Sequence, residues 1–131
     1  MLRNRYGKKP ELWYNVPVKN CIFCDAASGT ISVRKIYEDG EMLAFKDMNP
    51  AAPAHCLLIP KKHIGSLLEM EEEDCALAGR MLYRAKELAK EMGLESGGAR
   101  FVINAGEDAG QSVGHLHIHV LGGRPFGWPP G

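Results

Sequence analysis

No stretch of this 131-residue chain is apolar for the roughly 20 consecutive residues that crossing a bilayer requires, so a membrane-spanning role is not expected. Net charge is also missing, because sixteen Lys and Arg cancel sixteen Asp and Glu. The broad basic surface that draws a protein to nucleic acid is therefore not expected either. Cysteines number only four, and the first twenty residues lack the apolar stretch of a secretory signal, so a disulfide scaffold fits poorly. Those residues instead carry Arg3, Arg5, Lys8, Lys9 and Lys19 against Glu11, a basic arm over 1–20 ahead of a neutral body. Pro10, Glu11 and Pro17, with no serine, make the arm a poor transit peptide, and a cytoplasmic protein is expected.

What is present fits one globular domain over 21–131, since 45% of the chain is apolar and 24% charged. Cys21 to Ala27 reads as a short helical turn closed by Ser28-Gly29. Val33–Tyr37 and Glu41–Lys46 read as strands around Glu38-Asp39-Gly40, where Asp-Gly favours a tight turn. His55–Ile59 is a third, apolar strand stopped by Pro60. Ser66-x-x-Glu69 has the form of a capping box, and the acidic run Glu71–Asp74 suits a helix N-terminus. From there Leu77, Met81, Ala85, Leu88 and Met92 recur every three or four residues, one long amphipathic helix ending at Gly93. Arg100–Ala105 and the segment from His115 onward complete the strands. The order predicts an α+β fold, a mainly antiparallel five-stranded sheet with one long helix and a short N-terminal helix.

The richest chemistry lies in Gly114-His115-Leu116-His117-Ile118-His119-Val120-Leu121, where three of the five histidines occupy every second position. Strand alternation puts the three imidazoles on one face and Leu116, Ile118 and Val120 in a core on the other. Neighbouring histidines on a strand lie roughly 6.6 Å apart at the backbone. Two such rings can converge on one metal; three in a straight row cannot easily do so, and the row is expected to divide its labour. Cys21 and Cys24 form a Cys-x-x-Cys pair, a spacing that suggests metal or redox chemistry in such a chain. Cys56 and Cys75 read as buried or incidental.

Three longer motifs carry a resemblance: Asp47 with Asn49-Pro50-Ala51-Ala52-Pro53-Ala54-His55, then Ile59-Pro60-Lys61-Lys62-His63-Ile64, then Gly110-Gln111-Ser112-Val113-Gly114-His115 continuing to Arg124. With the ending Trp128-Pro129-Pro130-Gly131, they make the chain resemble the Hint branch of the histidine triad (HIT) superfamily over residues 21–131. Gly114, where Hint proteins often carry a larger aromatic residue, and Pro125-Phe126-Gly127 depart from the commoner pattern.

The resemblance implies a homodimeric purine nucleoside phosphoramidase that cleaves adenylated amines to the nucleoside monophosphate. His117 is then the nucleophile, forming a nucleotidyl-histidine that water hydrolyses. A cationic His119, the Ser112 hydroxyl and the N–H groups of Gly110, Gln111 and Val113 are expected to stabilise phosphoryl oxygens. His55 matches a further active-site histidine, and Asn104 a polar residue near phosphate and ribose. Asp47 is expected to accept from ribose hydroxyls, while Ile22, Phe23, Phe45, Met48 and Leu57 form an apolar slot for the base. Without the family, those five apolar residues are ordinary core candidates. Cys21, Cys24, His63 and His115 match the ligands of a structural zinc, with no organic cofactor implied. Two other readings stay open: a dinucleoside polyphosphate hydrolase using the same histidine, and a nucleotide-binding regulatory or scaffold protein.

Overall fold

The computed structural model describes residues 20–131, so the basic arm before Asn20 lies outside the described residues. Helix α1 (Ile22–Ser28) is followed by strands β1 (Lys35–Glu38), β2 (Met42–Lys46) and β3 (Ala54–Pro60). Helix α2 (Cys75–Glu91) then crosses to β4 (Ala99–Val102) and β5 (Ile118–Gly122). The five strands form one antiparallel sheet in the order β1-β2-β3-β5-β4. The α+β class, the five strands and both helices agree with the sequence expectation. Among the described residues, no helix is long and apolar enough to cross a membrane.

Alternation along the strands divides the interior in two. Met42, Ala44, Cys56, Leu58, Ile118 and Val120 pack with Leu77, Met81, Ala85 and Leu88 of α2. The intervening residues Leu43, Phe45, Leu57 and Ile59 pack on Phe23, Cys24 and Ala26 of α1. Each fully buried Leu, Ile or Met contributes about 1.5–3 kcal/mol by leaving water, so α2 holds one face of the sheet largely through its apolar stripe. The other face carries α1 and the histidines, with β3 and β5 side by side in the register His55–Leu121 and Leu57–His119.

Several boundaries differ from the sequence reading. The β1–β2 turn is tied by the Asp39 carboxylate, which accepts from the N–H groups of Glu41 and Met42, and β1 begins only at Lys35. Ser66 caps a single 3₁₀ turn, Leu67–Glu69, rather than the long helix. A second 3₁₀ turn at Glu72–Asp74 precedes α2, and its buried Asp74 takes a 2.6 Å bond from Lys62 Nζ. The hydrogen-bonded strand around the triad starts at Ile118, so His115 and His117 lie in the extended chain ahead of it. There the carbonyls of His115 and Val113 accept from His117 and from the His115 N–H instead of from a strand.

Candidate active site and metal cluster

His115, His117 and His119 do divide their labour, and the partner of each ring nitrogen determines how. His115 is fully buried, and its Nε2 lies 2.8 Å from the Pro60 carbonyl oxygen. A carbonyl only accepts, so Nε2 carries the proton and Nδ1 is left with a lone pair. That lone pair faces Cys21 Sγ at 3.4 Å, Cys24 Sγ at 3.6 Å and His63 Nδ1 at 3.2 Å. Cys24 Sγ is in turn 3.2 Å from His63 Nδ1. All four residues are buried, and their donor atoms lie within 4.8 Å of one another. Two sulfurs and two imidazole nitrogens at these separations match the edges of a tetrahedron drawn around one ion with bonds of about 2.0–2.3 Å, so the cluster can hold a metal. The carbonyl on His115 Nε2–H is the kind of outer partner that orients a ligating imidazole. Hydrogen bonding with Cys24, then with His115 and His63, draws the Cys21 thiol down to about 2 against the opposing effect of burial. Cys56, buried in β3 away from such partners, is pushed up to about 12. The sequence grouped these four ligands only through a family resemblance; the fold closes a separation of 94 residues between Cys21 and His115.

His117 is 2% exposed and its Nδ1 sits 2.7 Å from the His115 carbonyl oxygen. The proton is therefore on Nδ1, and Nε2 presents a lone pair. Burial holds the ring below the usual imidazole range, with the His115 carbonyl acting in the opposite sense. Phe23 packs edge-on against this ring, 5.1 Å between centroids, and against His115 at 5.9 Å. Because Phe23 stands between Ile22 and Cys24, the same helical turn that offers a metal ligand also walls the reactive imidazole.

A third arrangement joins His119 to β3. The Ala51 N–H donates to His55 Nδ1 at 3.0 Å, and His55 Nε2 lies 2.9 Å from His119 Nδ1. An amide N–H can only donate, so neutral His55 carries its proton on Nε2 and gives it to His119 Nδ1; His119 is left with its own proton on Nε2. Burial, then the neighbouring His117 and His55, lowers His119 to about 4. Both effects oppose the cationic His119 expected from the resemblance, since charging the ring would bury a cation beside two other imidazoles. Asp47 Oδ2 approaches His55 Nε2 at 3.4 Å, and Asp47 Oδ1 accepts from the Asn49 N–H at 2.8 Å. Asp47, His55 and His119 also gather as possible metal ligands. The Ala51 bond argues against that use, since a metal on Nε2 would demand an imidazolate or the loss of the amide contact.

Beside the histidines runs a cleft of about 480 Å³. Its walls include Ile22, Phe23, Phe45, Asp47, Met48, Leu57, Ser112 and Val113, all proposed from the sequence. Met48, 89% exposed, forms a lip rather than a wall of a closed slot. Ala26, Ile31, Ser32, Val33, Arg34 and Lys46 line it as well and were missed. Val33 was read as the start of a strand; its alternation with Ile31 was the available signal. Asn104 and Gln111, like His117 and His119, are not among the residues that line this cleft. Asn104 is half-buried in the segment after β4. The buried Gln111 amide instead ties its loop down: Nε2 donates to the Gly65 and Val113 carbonyls and Oε1 accepts from the Gly106 N–H. Gly110, at φ +82°, allows the turn that brings Ser112 to the cleft.

A HIT domain profile matches residues 28–126. An uncharacterized HIT-like protein of Synechocystis is 50% identical over 113 residues, covering 86% of this chain and 98% of that protein. Protein HitA of Neisseria gonorrhoeae is 50% identical over 103 residues, 79% of this chain and 95% of its own. Among solved structures, a HIT family hydrolase from Legionella pneumophila superposes with a TM-score of 0.84 at 46% identity, covering 86% of this chain and all of that one. A histidine triad protein from Clostridium difficile gives 0.82 at 40% identity, covering 86% and 97%. The profile spans all five histidines, relatives and structures agree with it, and the chain belongs to the HIT family.

Proposed function

We propose that this chain is a nucleotidyl hydrolase of the Hint type, a purine nucleoside phosphoramidase that works through a covalent histidine intermediate. One observation carries the reading: His117 donates Nδ1–H to the His115 carbonyl and so keeps an unprotonated Nε2 on a ring packed against Phe23, a wall of the apolar cleft. In the proposed reaction that nitrogen attacks the α-phosphorus of an adenylated amine. The bond to the leaving nitrogen breaks, and the amine departs after gaining a proton. Water then attacks the phosphorus of the nucleotidyl-His117, releasing the nucleoside monophosphate and restoring the ring. Charge gathers on the non-bridging oxygens in both steps, so donors aimed at them matter more than a strong base. His119 Nε2–H, the Ser112 hydroxyl and the Ser112 and Val113 N–H groups are the donors in this reading, because the Gly110 and Gln111 N–H groups are spent on the Glu107 and Gly106 carbonyls. Asp47 receives the ribose hydroxyls, and Phe23, Phe45 and Leu57 hold the base by apolar contact.

Cys21, Cys24, His63 and His115 would hold zinc. A closed set of four protein ligands gives that ion a structural role, tying α1 to both histidine-bearing segments. The resemblance also implies a homodimer, for which exposed Leu82 and Tyr83 on α2 and Phe101 on the edge strand β4 supply apolar surface. The test is brief mixing with an adenosine phosphoramidate, quench at alkaline pH, where the P–N bond survives, and intact mass spectrometry beside His117→Ala. A transient adduct of one nucleotidyl group on the unaltered protein alone supports the reading. Absence of both adduct and AMP release would replace it with a nucleotide-binding regulatory role, and faster cleavage of a diadenosine polyphosphate would reassign the substrate.

A further inference from the structure

The state of His119 depends on groups that belong to no histidine. Its Nδ1 can accept only because His55 Nε2 carries a proton, and His55 Nε2 carries one only because the Ala51 N–H fills Nδ1. Ala51 is itself held from the other side. Its carbonyl accepts from Arg124 Nη2 at 3.0 Å, across 73 residues of sequence. Arg124 lies over the Phe126 ring at 4.5 Å, and Arg100 of β4 flanks the same ring at 5.0 Å while donating to the Gly127 carbonyl. Gly123, at φ +96°, brings the chain so close to the loop before β3 that a Cβ there would meet Pro53 Cβ at 2.9 Å. The segment after β5 therefore rests directly on the loop that presents the Ala51 amide.

We propose that Ala51 and Arg124 are positioning residues that fix the tautomer of His119 through His55. All the bonds run one way: guanidinium to the Ala51 carbonyl, Ala51 N–H to His55 Nδ1, His55 Nε2–H to His119 Nδ1. Each polarity follows from a group that can only donate, so the order has no reversed form while Ala51 stays in place. The end of the chain is the Nε2–H of His119. With the opposite tautomer, His119 would present a lone pair at Nε2, unable to donate to a phosphoryl oxygen. Neither Ala51 nor Arg124 contacts the reacting atoms in this scheme; each acts on them through His55. The catalytic consequence rests on the proposed nucleotidyl hydrolysis, whereas the tautomer itself does not.

Long-range proton–nitrogen correlation spectra of ¹⁵N-histidine-labelled protein read each ring directly, without substrate. The unaltered protein is expected to show His119 protonated at Nε2 and His55 at Nε2. Arg124→Ala is expected to mix the His119 tautomers and lower kcat about fivefold with KM unchanged, the size of one lost hydrogen bond. Arg124→Lys, which still offers a donor to the Ala51 carbonyl, should recover most of both. Ala51→Pro removes the N–H outright and should have the larger effect; should it fail to fold, His55→Gln against His55→Leu replaces it, because only glutamine can donate to His119 Nδ1. A His119 proton on Nδ1 in the unaltered protein, or unchanged spectra in Arg124→Ala, overturns the proposal. If no nucleotide is hydrolysed but the spectra follow the expected pattern, the relay stands and only the reaction assigned to the site falls.

Discussion

With the proposed zinc in the Cys21, Cys24, His63 and His115 cluster, stripping that ion should loosen the fold and the His117 ring together, by an amount that can be worked from the cluster. Cys21 and His115 are 94 residues apart in sequence, so an ion shared between them closes a loop that an unfolded chain would otherwise leave open. A cross-link closing a loop of that length restricts the unfolded ensemble by about 4–5 kcal/mol on the chain-entropy estimate. Most of the two hydrophobic clusters does not depend on the ligands, so the apoprotein should stay folded with a stability lower by about 4 kcal/mol. At about 4 °C per kcal/mol for a domain of this length, the melting temperature should fall by about 15 °C. Differential scanning fluorimetry with and without a strong chelator, together with elemental analysis of the purified protein, makes the measurement. Cys21→Ser/Cys24→Ser supplies the control, since it should melt low and ignore the chelator. Activity should fall in the apoprotein as well, because the His115 carbonyl that orients His117 belongs to a ligand residue. Chelation that removes the ion yet moves the melting temperature by less than about 3 °C would refute the clasp.

His117→Ala should lower the rate of nucleotide release by about 10⁴-fold or more while leaving binding intact, checked by single-turnover kinetics and calorimetric titration with AMP. Asp47→Asn should raise KM for a ribonucleotide by about tenfold, the weight of a charge-assisted hydrogen bond, with little effect on a 2′,3′-dideoxy analogue; equal effects on both would remove Asp47 from the ribose. The pH dependence has a definite sign. His117 and His119 have folded pKa values below the ordinary 6.5, so the unfolded chain takes up protons first as pH falls. Stability is therefore full above about pH 6.5 and declines below it until the folded rings titrate, near 4 for His119. The acidic inflection of the kcat/KM profile should therefore lie below 6.5, and one at 6.5 or above would show that the reacting rings are not buried as described.

The sheet was legible as strands set between turns. Leu43, Phe45, Leu57 and Ile59 face one way and Met42, Ala44, Cys56 and Leu58 the other; the sequence showed these strands as apolar runs between turns, and burial on both faces explains why they are apolar throughout. The stripe of α2 was equally plain at Leu77, Met81, Ala85 and Leu88. Its start was not, since Ser66 and the acidic run each cap a separate 3₁₀ turn, and local capping chemistry does not reveal how long the capped element will be. The histidine strand was legible as a pattern of faces but not as hydrogen bonding, because the His115 carbonyl, which a strand partner would otherwise bond, accepts from the His117 ring. The apolar cleft residues were named correctly yet through family resemblance, for an exposed Ile22 and a buried Phe23 look alike in composition. Gln111 was assigned to the nucleotide through its backbone N–H, which the folded loop gives to the Gly106 carbonyl, while burial turns both ends of its side-chain amide inward.

In the proposed function the five histidines take three roles, and what separates them is which single-function backbone group reaches which ring nitrogen. Two carbonyls, from Pro60 and His115, force a proton onto His115 Nε2 and His117 Nδ1, and thereby leave one lone pair facing the cysteines and another on His117 Nε2. One amide, from Ala51, does the reverse at His55 and passes a donor to His119. An imidazole can serve as ligand, nucleophile or donor with little difference in intrinsic chemistry, so the sequence pattern fixes only that the rings are close. The assignment belongs to peptide groups whose side chains are a proline, a histidine and an alanine, only one of which would attract notice in a motif. It follows that variants preserving every histidine but moving these peptide groups should damage the site selectively. A Pro60→Gly variant, for example, should loosen the His115 ring and weaken metal retention before it affects the Ala51–His55 contact. Metal loss measured by elemental analysis, with the His119 tautomer unchanged, is the expected outcome; simultaneous loss of both would mean that the two histidine arrangements are coupled through the sheet rather than set independently.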